Sequence, residues 1–222
     1  MRKQIIIAHR GNQQYLRYTL KQAKQYNDDV ILLGDKKNAT FSDIVEHHLL
    51  DDFSTSEELS CFRDLYKHMS TNDYQFEKVC FERWFQILEF LESNGIQSFF
   101  HIDSDILLYS NISTVLEKVI SDYKAAYNIV SQQYEEYLWK SSAHTSFWKT
   151  EFLREFCSFV SDSYEDGIDE LEKKWDCHKE QGINGGVCDM SLLYLFYLKN
   201  KNSIYNLLPV SKDNICFKGT LI

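Results

Sequence analysis

The chain is organised around one stretch of sequence, Phe99-Phe100-His101-Ile102-Asp103-Ser104-Asp105-Ile106-Leu107-Leu108-Tyr109. It is an apolar run long enough for a buried strand, and it carries two carboxylates, Asp103 and Asp105. Side chains two residues apart in a strand point to the same side, and two like charges there repel. The pattern therefore predicts a divalent cation with oxygen ligands at the carboxyl end of a strand. The alternative is a strand that stops before Asp103, which leaves both carboxylates in a solvated turn.

Length and composition are those of an ordinary globular protein. The 222 residues are 44% hydrophobic and 15% aromatic with one proline, which predicts a single domain over residues 1–222. The net charge of −9 argues against a nucleic-acid-binding surface. No apolar run has the length of a signal-peptide core or a membrane span, so we expect a cytoplasmic protein, with peripheral association at a membrane as the alternative. Six cysteines without a CxxC pair predict free buried thiols rather than disulfides or a zinc site.

The N-terminal part predicts a strand, a helix and a second strand. Ile5 to Ala8 and Val30 to Leu33 are short apolar runs typical of buried strands. Between them, apolar residues recur at helical spacing from Tyr15 to Tyr26. This βαβ unit predicts parallel strands, whose carboxyl ends open on the same edge of the sheet.

The residues that follow these two strands are candidate ligand contacts, because α/β sheets bind ligands at that edge. His9 and Arg10 could meet a diphosphate, whereas an arginine on a loop is otherwise simply solvated. Asp35 could accept hydrogen bonds from a base or a ribose. Its alternative role is that of a turn aspartate after Gly34.

Three further helices are predicted between the βαβ unit and the acidic pair. A short one covers Ser42 to His48, and a capping box at Thr55 to Glu58 opens one that runs to about Met69. The third, Phe76 to Glu92, has the broadest apolar surface and should pack against the sheet. Its Arg83 either faces outward or reaches the ligand.

The second half of the chain alternates helices, strands and an aromatic segment. A capping box at Thr114 predicts a helix directly after the acidic pair, and Ala125 to Val130 predicts a strand. Residues 132–148 are expected to be irregular and to face the substrate. Helical patterns follow in Thr150 to Val160 and in the acidic segment 162–176.

A glycine-rich segment then precedes an apolar helix, Leu192 to Leu198, and a last strand, Ile204 to Leu208. Gly185 and Gly186 would let backbone N–H groups approach a ligand closely. Asp189 lies at the start of the helix, where it could act on a substrate or serve as an N-cap.

This order of parts resembles the nucleotide-sugar glycosyltransferases of GT-A fold. In that family a βαβ half binds the nucleotide, a hydrophobic strand ends in Asp-x-Asp, and a later acidic residue at a helix start lies near the acceptor. The corresponding stretches here are Ile5 to Arg10, Val30 to Asp35, Asp103-Ser104-Asp105 and Gly185 to Met190. The resemblance implies one Rossmann-like α/β domain with a mostly parallel central sheet flanked by helices. Residues 1–110 would form its nucleotide-sugar-binding half and residues 111–222 its acceptor-side half.

The resemblance also implies roles for single residues. Asp103 would touch the ribose or share the metal through water, and Asp105 would ligate Mn²⁺ or Mg²⁺ bound to two phosphates. Asp189 would take the proton of the acceptor hydroxyl as general base. Many members add a histidine ligand near the C-terminus, but no histidine follows His178 here. Asp213 could substitute; otherwise the metal would rely on Asp105, phosphate and water, or the natural chain would continue beyond Ile222. The residues expected to contact the donor are His9, Arg10, Asp35, Arg83, Asp103, Ser104, Gly185 and Gly186.

The implied activity is that of a metal-dependent hexosyltransferase, with a nucleotide-diphosphate sugar, UDP-sugar favoured, as donor and a glycan or other hydroxyl as acceptor. One alternative is a haloacid-dehalogenase-like phosphatase, whose first Asp is a nucleophile but whose motif normally lies near the N-terminus. A second is a sugar nucleotidyltransferase, which usually has a Gly-rich, Lys/Arg-bearing loop after the first strand. A third is a non-catalytic nucleotide- or metal-binding module.

Overall fold

The computed structural model describes residues 3–130, 134 and 136–208. Its strands are β1 (Gln4–Ala8), β2 (Val30–Gly34), β3 (Glu46–Leu49), β4 (Ser98–Ile102), β5 (Ala125–Ile129), β6 (Ser141–Lys149) and β7 (Ile204–Asn206). Its α-helices are α1 (Leu16–Tyr26), α2 (Glu57–Leu65), α3 (Tyr74–Ser93), α4 (Ile112–Val115), α5 (Glu117–Asp122), α6 (Thr150–Glu165), α7 (Ile168–Gln181) and α8 (Asp189–Lys199). Two 3-10 turns cover Ala39–Asp43 and Leu50–Phe53.

The strands form a seven-stranded sheet in the order β3-β2-β1-β4-β6-β5-β7. Neighbours from β3 to β4 pair in parallel, as do β5 and β7. β6 is antiparallel to both β4 and β5, so it alone among these strands runs the other way. The predicted α/β fold class with a mostly parallel sheet flanked by helices is confirmed.

Helices cover the sheet on both faces, which is why its central strands are apolar on both sides. Alternate residues of β1 point to opposite faces. Ile5 and Ile7 pack with α1, while Ile6 packs with α3, α6 and α8. Each of these three isoleucines is 0% exposed, so β1 is covered on both faces of the sheet. Among the described residues, no helix has both the length and the apolar composition needed to cross a membrane.

Strands β1, β2 and β4 end at the same edge of the sheet, which we call the carboxyl edge. Their register pairs Ala8 with Leu33 and Ile6 with His101. Asp103, two residues after His101, therefore lies at the level where the chain leaves β1. The prediction that the exits of the first two strands share one edge is confirmed.

The strand predicted over Phe99–Tyr109 is wrong beyond Ile102, where β4 ends. The Asp103 N–H donates to the carbonyl of His144 at 2.8 Å, and the Ile106 N–H donates to the Asp103 carbonyl at 3.1 Å, which turns the chain. Of the apolar residues that follow, Leu107 and Tyr109 are exposed, whereas Ile106 and Leu108 pack outside the sheet, in the layer that contains α1. Their hydrophobicity reflects this packing and not strand pairing.

Two predicted helices before α3 also need correction. The helix predicted over Ser42 to His48 is wrong, because that segment holds the end of a 3-10 turn and β3, which pairs with β2. Pairing with a neighbouring strand here outweighs local propensity. The helix predicted to run to Met69 is α2 and ends at Leu65, and its N-cap is Ser56. The long helix predicted over Phe76 to Glu92 is confirmed as α3.

In the second half, the expectation of an irregular segment over 132–148 is wrong from Ser141 onward, because β6 begins there. The helix after the acidic pair starts at Ile112 and is capped by Asn111, not by Thr114. Residues 131–133, 135 and 209–222, with Asp213 among them, lie outside the described residues. The single domain over 1–222 and its two halves stay predictions.

Candidate active site

Arg83, Asp103 and Asp189 meet at the carboxyl edge, although they lie far apart in the sequence. Arg83 donates from Nη1 to Asp103 Oδ1 at 3.0 Å and from Nη2 to Asp189 Oδ2 at 2.8 Å. The side chains of Asp189, Arg83 and Asp103 are 6%, 20% and 31% exposed. The arrangement is therefore shielded from water at Asp189 and open at Asp103. We call these three residues the central cluster.

Each member of the cluster is positioned by a regular element. Arg83 lies in the middle of α3, and Asp103 directly follows the end of β4. Asp189 is the first residue of α8, where the free N–H groups of a helix favour a negative charge. Cys188, and not Asp189, is the N-cap residue of that helix. The Asp189 side chain is thus free to pair with Arg83.

The charges in the cluster stabilise one another. Burial by itself lowers the pKa of Arg83, but the carboxylates of Asp189 and Asp103 outweigh it, and the net shift is upward. Burial by itself raises the pKa of Asp103, but Arg83 and the hydrogen bond from His101 hold it well below its usual range. Arg83 and Asp103 are therefore both charged across the physiological pH range.

Two buried aromatic residues, His101 and Trp84, extend the cluster inward. His101 Nε2 lies 3.2 Å from Asp103 Oδ1, and Trp84 Nε1 donates to Asp189 Oδ2 at 3.1 Å. Burial lowers the pKa of His101, so the ring is neutral and donates through Nε2. Sequence reasoning missed both residues. His101 lies two residues before Asp103 in an extended segment, and that spacing placed both side chains on one side.

Asp105 and Ser104 form the turn after Asp103. Asp105 is exposed, and the Ser104 carbonyl accepts a hydrogen bond from Thr19 Oγ1 at 2.6 Å. Two carboxylates with access to solvent are ligands of the kind that Mg²⁺ and Mn²⁺ take, with phosphate and water oxygens completing the shell. Asp103 Oδ1 is already bonded to Arg83 and His101, so such an ion would take Asp103 Oδ2 and the exposed Asp105 carboxylate as donors and would require further ligands from substrate or solvent.

A second group of potential ligands lies deeper. Within the described part of the chain, Glu77, Cys188 and Asp189 are the one set of three such residues whose ligand atoms lie within 4.8 Å of one another. Glu77 accepts hydrogen bonds from Ser70 at 3.1 Å and Asn72 at 2.8 Å. Burial raises the pKa of the Cys188 thiol to about 11, so it stays protonated. With Asp189 already paired to Arg83, this group is a buried hydrogen-bonded cluster.

His9 and Arg10 follow β1 at the carboxyl edge. His9 Nε2 lies 2.5 Å from Gln13 Oε1, and Arg10 Nη2 donates to Asp51 Oδ1 at 2.9 Å. The Asp51 side chain is 74% exposed, so this ion pair is weak and exchangeable. A bound anion could therefore take over the Arg10 guanidinium.

Asp35 follows β2 and serves as a turn aspartate. Its carboxylate accepts hydrogen bonds from the N–H groups of Gly11 at 2.8 Å, Lys37 at 2.8 Å and Asn38 at 3.3 Å. Burial by itself raises the pKa of Asp35, but these three backbone donors bring it below its usual value. The role in turn structure is thus observed, and a contact with base or ribose stays a prediction.

Gly185 and Gly186 lie opposite the segment 69–71. The Gly185 N–H donates to Thr71 Oγ1 at 2.8 Å, and its carbonyl accepts from the Thr71 N–H at 2.9 Å. Gly186 has φ +141°, and a Cβ there would lie 2.2 Å from the Met69 carbonyl oxygen. Gly186 is therefore required by close backbone packing. A ligand contact at either glycine stays a prediction.

The structure also holds a cavity of about 460 Å³ away from the central cluster. It lies between α6, α7 and α8, with Phe159, Leu171 and Leu195 among its lining residues. None of the predicted site residues lines it. The central cluster is thus part of an open edge and not of this cavity.

Comparison with known proteins gives similarity in structure alone. No protein-family model and no curated protein matches the sequence. The structure is similar to that of mouse xyloside xylosyltransferase 1, with a TM-score of 0.63 and 9% identity over 93% of this chain and 85% of that chain. It is also similar to the bifunctional glycosyltransferase WbbM, with a TM-score of 0.52 and 12% identity over 93% of this chain and 38% of that chain. At such identities these likenesses show the fold.

Proposed function

We propose that this chain is a glycosyltransferase that moves a sugar from a nucleotide-diphosphate sugar to a hydroxyl acceptor. The observation that carries the proposal is the central cluster, in which Arg83 joins Asp103 and Asp189 at the carboxyl edge of the sheet. That edge is where α/β sheets bind ligands, and charged groups held rigidly there can stabilise a developing charge. The fold shared with mouse xyloside xylosyltransferase 1 supports the same class of reaction.

The donor would lie across the ends of β1, β2 and β4. That edge is lined by the loop His9 to Gly11, by Asp35 and by Asp103. A UDP-sugar is the favoured donor. Arg10 can leave its exposed partner Asp51 for a phosphate oxygen. Arg83 pairs with the partly exposed Asp103 and with Asp189, so it would hold both carboxylates in place beside the leaving diphosphate, and its own contact with the donor stays a prediction.

A divalent ion, Mn²⁺ or Mg²⁺, would be held by Asp103 and Asp105. When bound, such an ion supplies positive charge that stabilises a leaving diphosphate. Asp105 is exposed, and Asp103 is kept ionised by Arg83 and His101. Asp103 can therefore act as an anionic oxygen donor throughout the physiological pH range, and the exposed Asp105 carboxylate follows it two residues later.

Asp189 is the proposed general base for the acceptor, which would be a glycan or other hydroxyl compound. Its Oδ2 accepts from Arg83 and Trp84, so the proton of the acceptor hydroxyl would go to Oδ1. Asp189→Asn should lower turnover far more than donor binding. Equal loss of donor binding and of turnover would instead assign Asp189 to the donor site.

The proposal is tested by incubating the protein with a panel of nucleotide sugars, with and without Mn²⁺. We expect one donor to raise the melting temperature by mass action and to release nucleoside diphosphate in a metal-dependent reaction. p-Nitrophenyl phosphate hydrolysis that is abolished by Asp103→Asn would support the phosphatase instead. Nucleotide binding with no turnover of any donor would instead indicate a non-catalytic binding module.

A further inference from the structure

We propose that Asn38 is a positioning residue that fixes the loop leaving β1, and thereby the donor-binding shape of the carboxyl edge. This inference rests on the proposed function. Asn38 belongs to no motif in the sequence, yet it is 0% exposed and lies behind the edge where β1 and β2 end. We call residues 9–11 the β1 loop.

The Asn38 side chain bonds to three backbone groups, two in the β1 loop and one at the exit of β2. Its Nδ2 donates to the carbonyl of His9 at 2.9 Å and to the carbonyl of Gly11 at 3.0 Å. Its Oδ1 accepts from the N–H of Asp35 at 2.9 Å. One amide therefore holds both ends of the β1 loop and the exit of β2 in a fixed relation.

The orientation of this amide is determined by its partners. The two carbonyls can only accept and the Asp35 N–H can only donate, so a flipped amide would lose all three hydrogen bonds. His47 Nε2 lies 2.9 Å from Asn38 Oδ1 and must then act as the donor. Burial lowers the pKa of His47 and so favours the neutral ring, whose Nε2–H tautomer can make this contact.

The packing around Asn38 leaves no room for another side chain. A Cβ at Gly34, the last residue of β2, would lie 2.1 Å from Asn38 Oδ1 and 2.6 Å from His47 Nε2. Gly34 thus makes the space that the amide occupies. From the other side, Asp35 holds the Gly11 N–H at 2.8 Å, so the β1 loop is fixed through both its carbonyls and an N–H.

For the proposed reaction, this means that donor binding and the chemical step depend on different parts of the structure. The β1 loop presents His9 and Arg10 at the edge, while the central cluster is built on other elements. A loop held in place before the donor arrives does not have to be ordered on binding, which favours affinity. Loss of Asn38 should therefore weaken donor binding and leave the chemical step largely unchanged.

The test compares Asn38→Ala with Asn27→Ala. Asn27 is also a buried asparagine, 5% exposed, whose side chain bonds to the backbone of Ala23, Ser110 and Ile112. It lies at the opposite edge of the sheet, before β2. We expect Asn38→Ala to raise the donor KM and the Kd for UDP with Mn²⁺ about tenfold, equivalent to about 1.4 kcal/mol, with kcat changed less than twofold. Asn27→Ala should lower the melting temperature and leave KM unchanged.

Hydrogen exchange gives a readout that does not depend on the reaction. In Asn38→Ala, the Gly11 amide should exchange faster than in the wild type and in Asn27→Ala. Unchanged exchange at Gly11 would overturn the inference whatever the protein catalyses. Faster exchange with an unchanged donor KM would reduce Asn38 to a structural residue. A wild-type protein that neither binds UDP nor turns over any nucleotide sugar would refute the proposed function itself, and with it the role of Asn38 in donor binding.

Discussion

Removing the Arg83 guanidinium should destabilise the protein and abolish its activity. In Arg83→Met, the Asp189 carboxylate, whose side chain is 6% exposed, would keep a single hydrogen bond within the described part of the chain, the one from Trp84. Breaking a buried ion pair from one side costs about 3–5 kcal/mol, and the partial exposure of Asp103 favours the lower value, about 3 kcal/mol. For a chain of this length that corresponds to a fall in melting temperature of about 6–12 °C.

A double-mutant cycle with Asp189→Asn assigns the loss to the pair. The double variant no longer buries an unpaired charge, so its loss should be about 2 kcal/mol smaller than the sum of the single losses. Urea unfolding followed by circular dichroism gives the four free energies. Arg154→Met is the matched control, because Arg154 pairs with Glu92 at 2.8 Å on the surface and should lose less than about 1 kcal/mol. A loss in Arg83→Met no larger than in Arg154→Met, with additive effects in the cycle, would refute the cluster as described.

Three further outcomes test other parts of the structure. Asp105→Asn should leave the melting temperature unchanged and remove metal-dependent UDP binding in calorimetry; unchanged affinity with Mn²⁺ would show that Asp105 is not a ligand. Gly186→Ala should lower the free energy of unfolding by about 3 kcal/mol, because φ is +141° and the new Cβ would lie 2.2 Å from the Met69 carbonyl oxygen. The control Gly95→Ala, where a Cβ would point into open space, should lower it by about 1 kcal/mol. Equal losses in the two variants would contradict the close packing at Gly186. Burial lowers the pKa of Lys174 from 10.5 to about 8, so between these pH values the unfolded chain binds more protons than the folded one. The free energy of unfolding should therefore rise with pH in that range, by up to about 3 kcal/mol relative to Lys174→Met. Parallel pH profiles of the two free energies would contradict this.

Local sequence patterns were sufficient for the elements whose stability is local. β1, β2 and α3 have continuous apolar runs or a helical period that no neighbour has to supply. β3 and β6 were not found, because Glu46–Leu49 and Ser141–Lys149 are rich in polar residues and become strands through pairing with β2, β4 and β5. Such pairing is set by tertiary structure, which a single sequence does not display.

The candidate site likewise contains residues that the sequence predicted and contacts that it did not predict. Arg83, Asp103 and Asp189 were each named from the sequence, but the contact between Arg83 and Asp189 joins residues 106 positions apart, and no local pattern predicts it. Asp103 could be found because a charge inside an apolar run is conspicuous. Asn38 could not be found from the sequence, because its proposed role depends on backbone carbonyls of the β1 loop that only the folded structure brings to it.

The proposed function requires the carboxyl edge to transfer a sugar from a nucleotide-diphosphate donor. The most direct measurement is the release of UDP from UDP-sugars in the presence of Mn²⁺ and a hydroxyl acceptor, for the wild type and for Asp103→Asn. We expect metal-dependent release by the wild type, and at least a hundredfold less by a variant that remains folded. No release from any nucleotide sugar by the wild type, or equal release by Asp103→Asn, would contradict the claim.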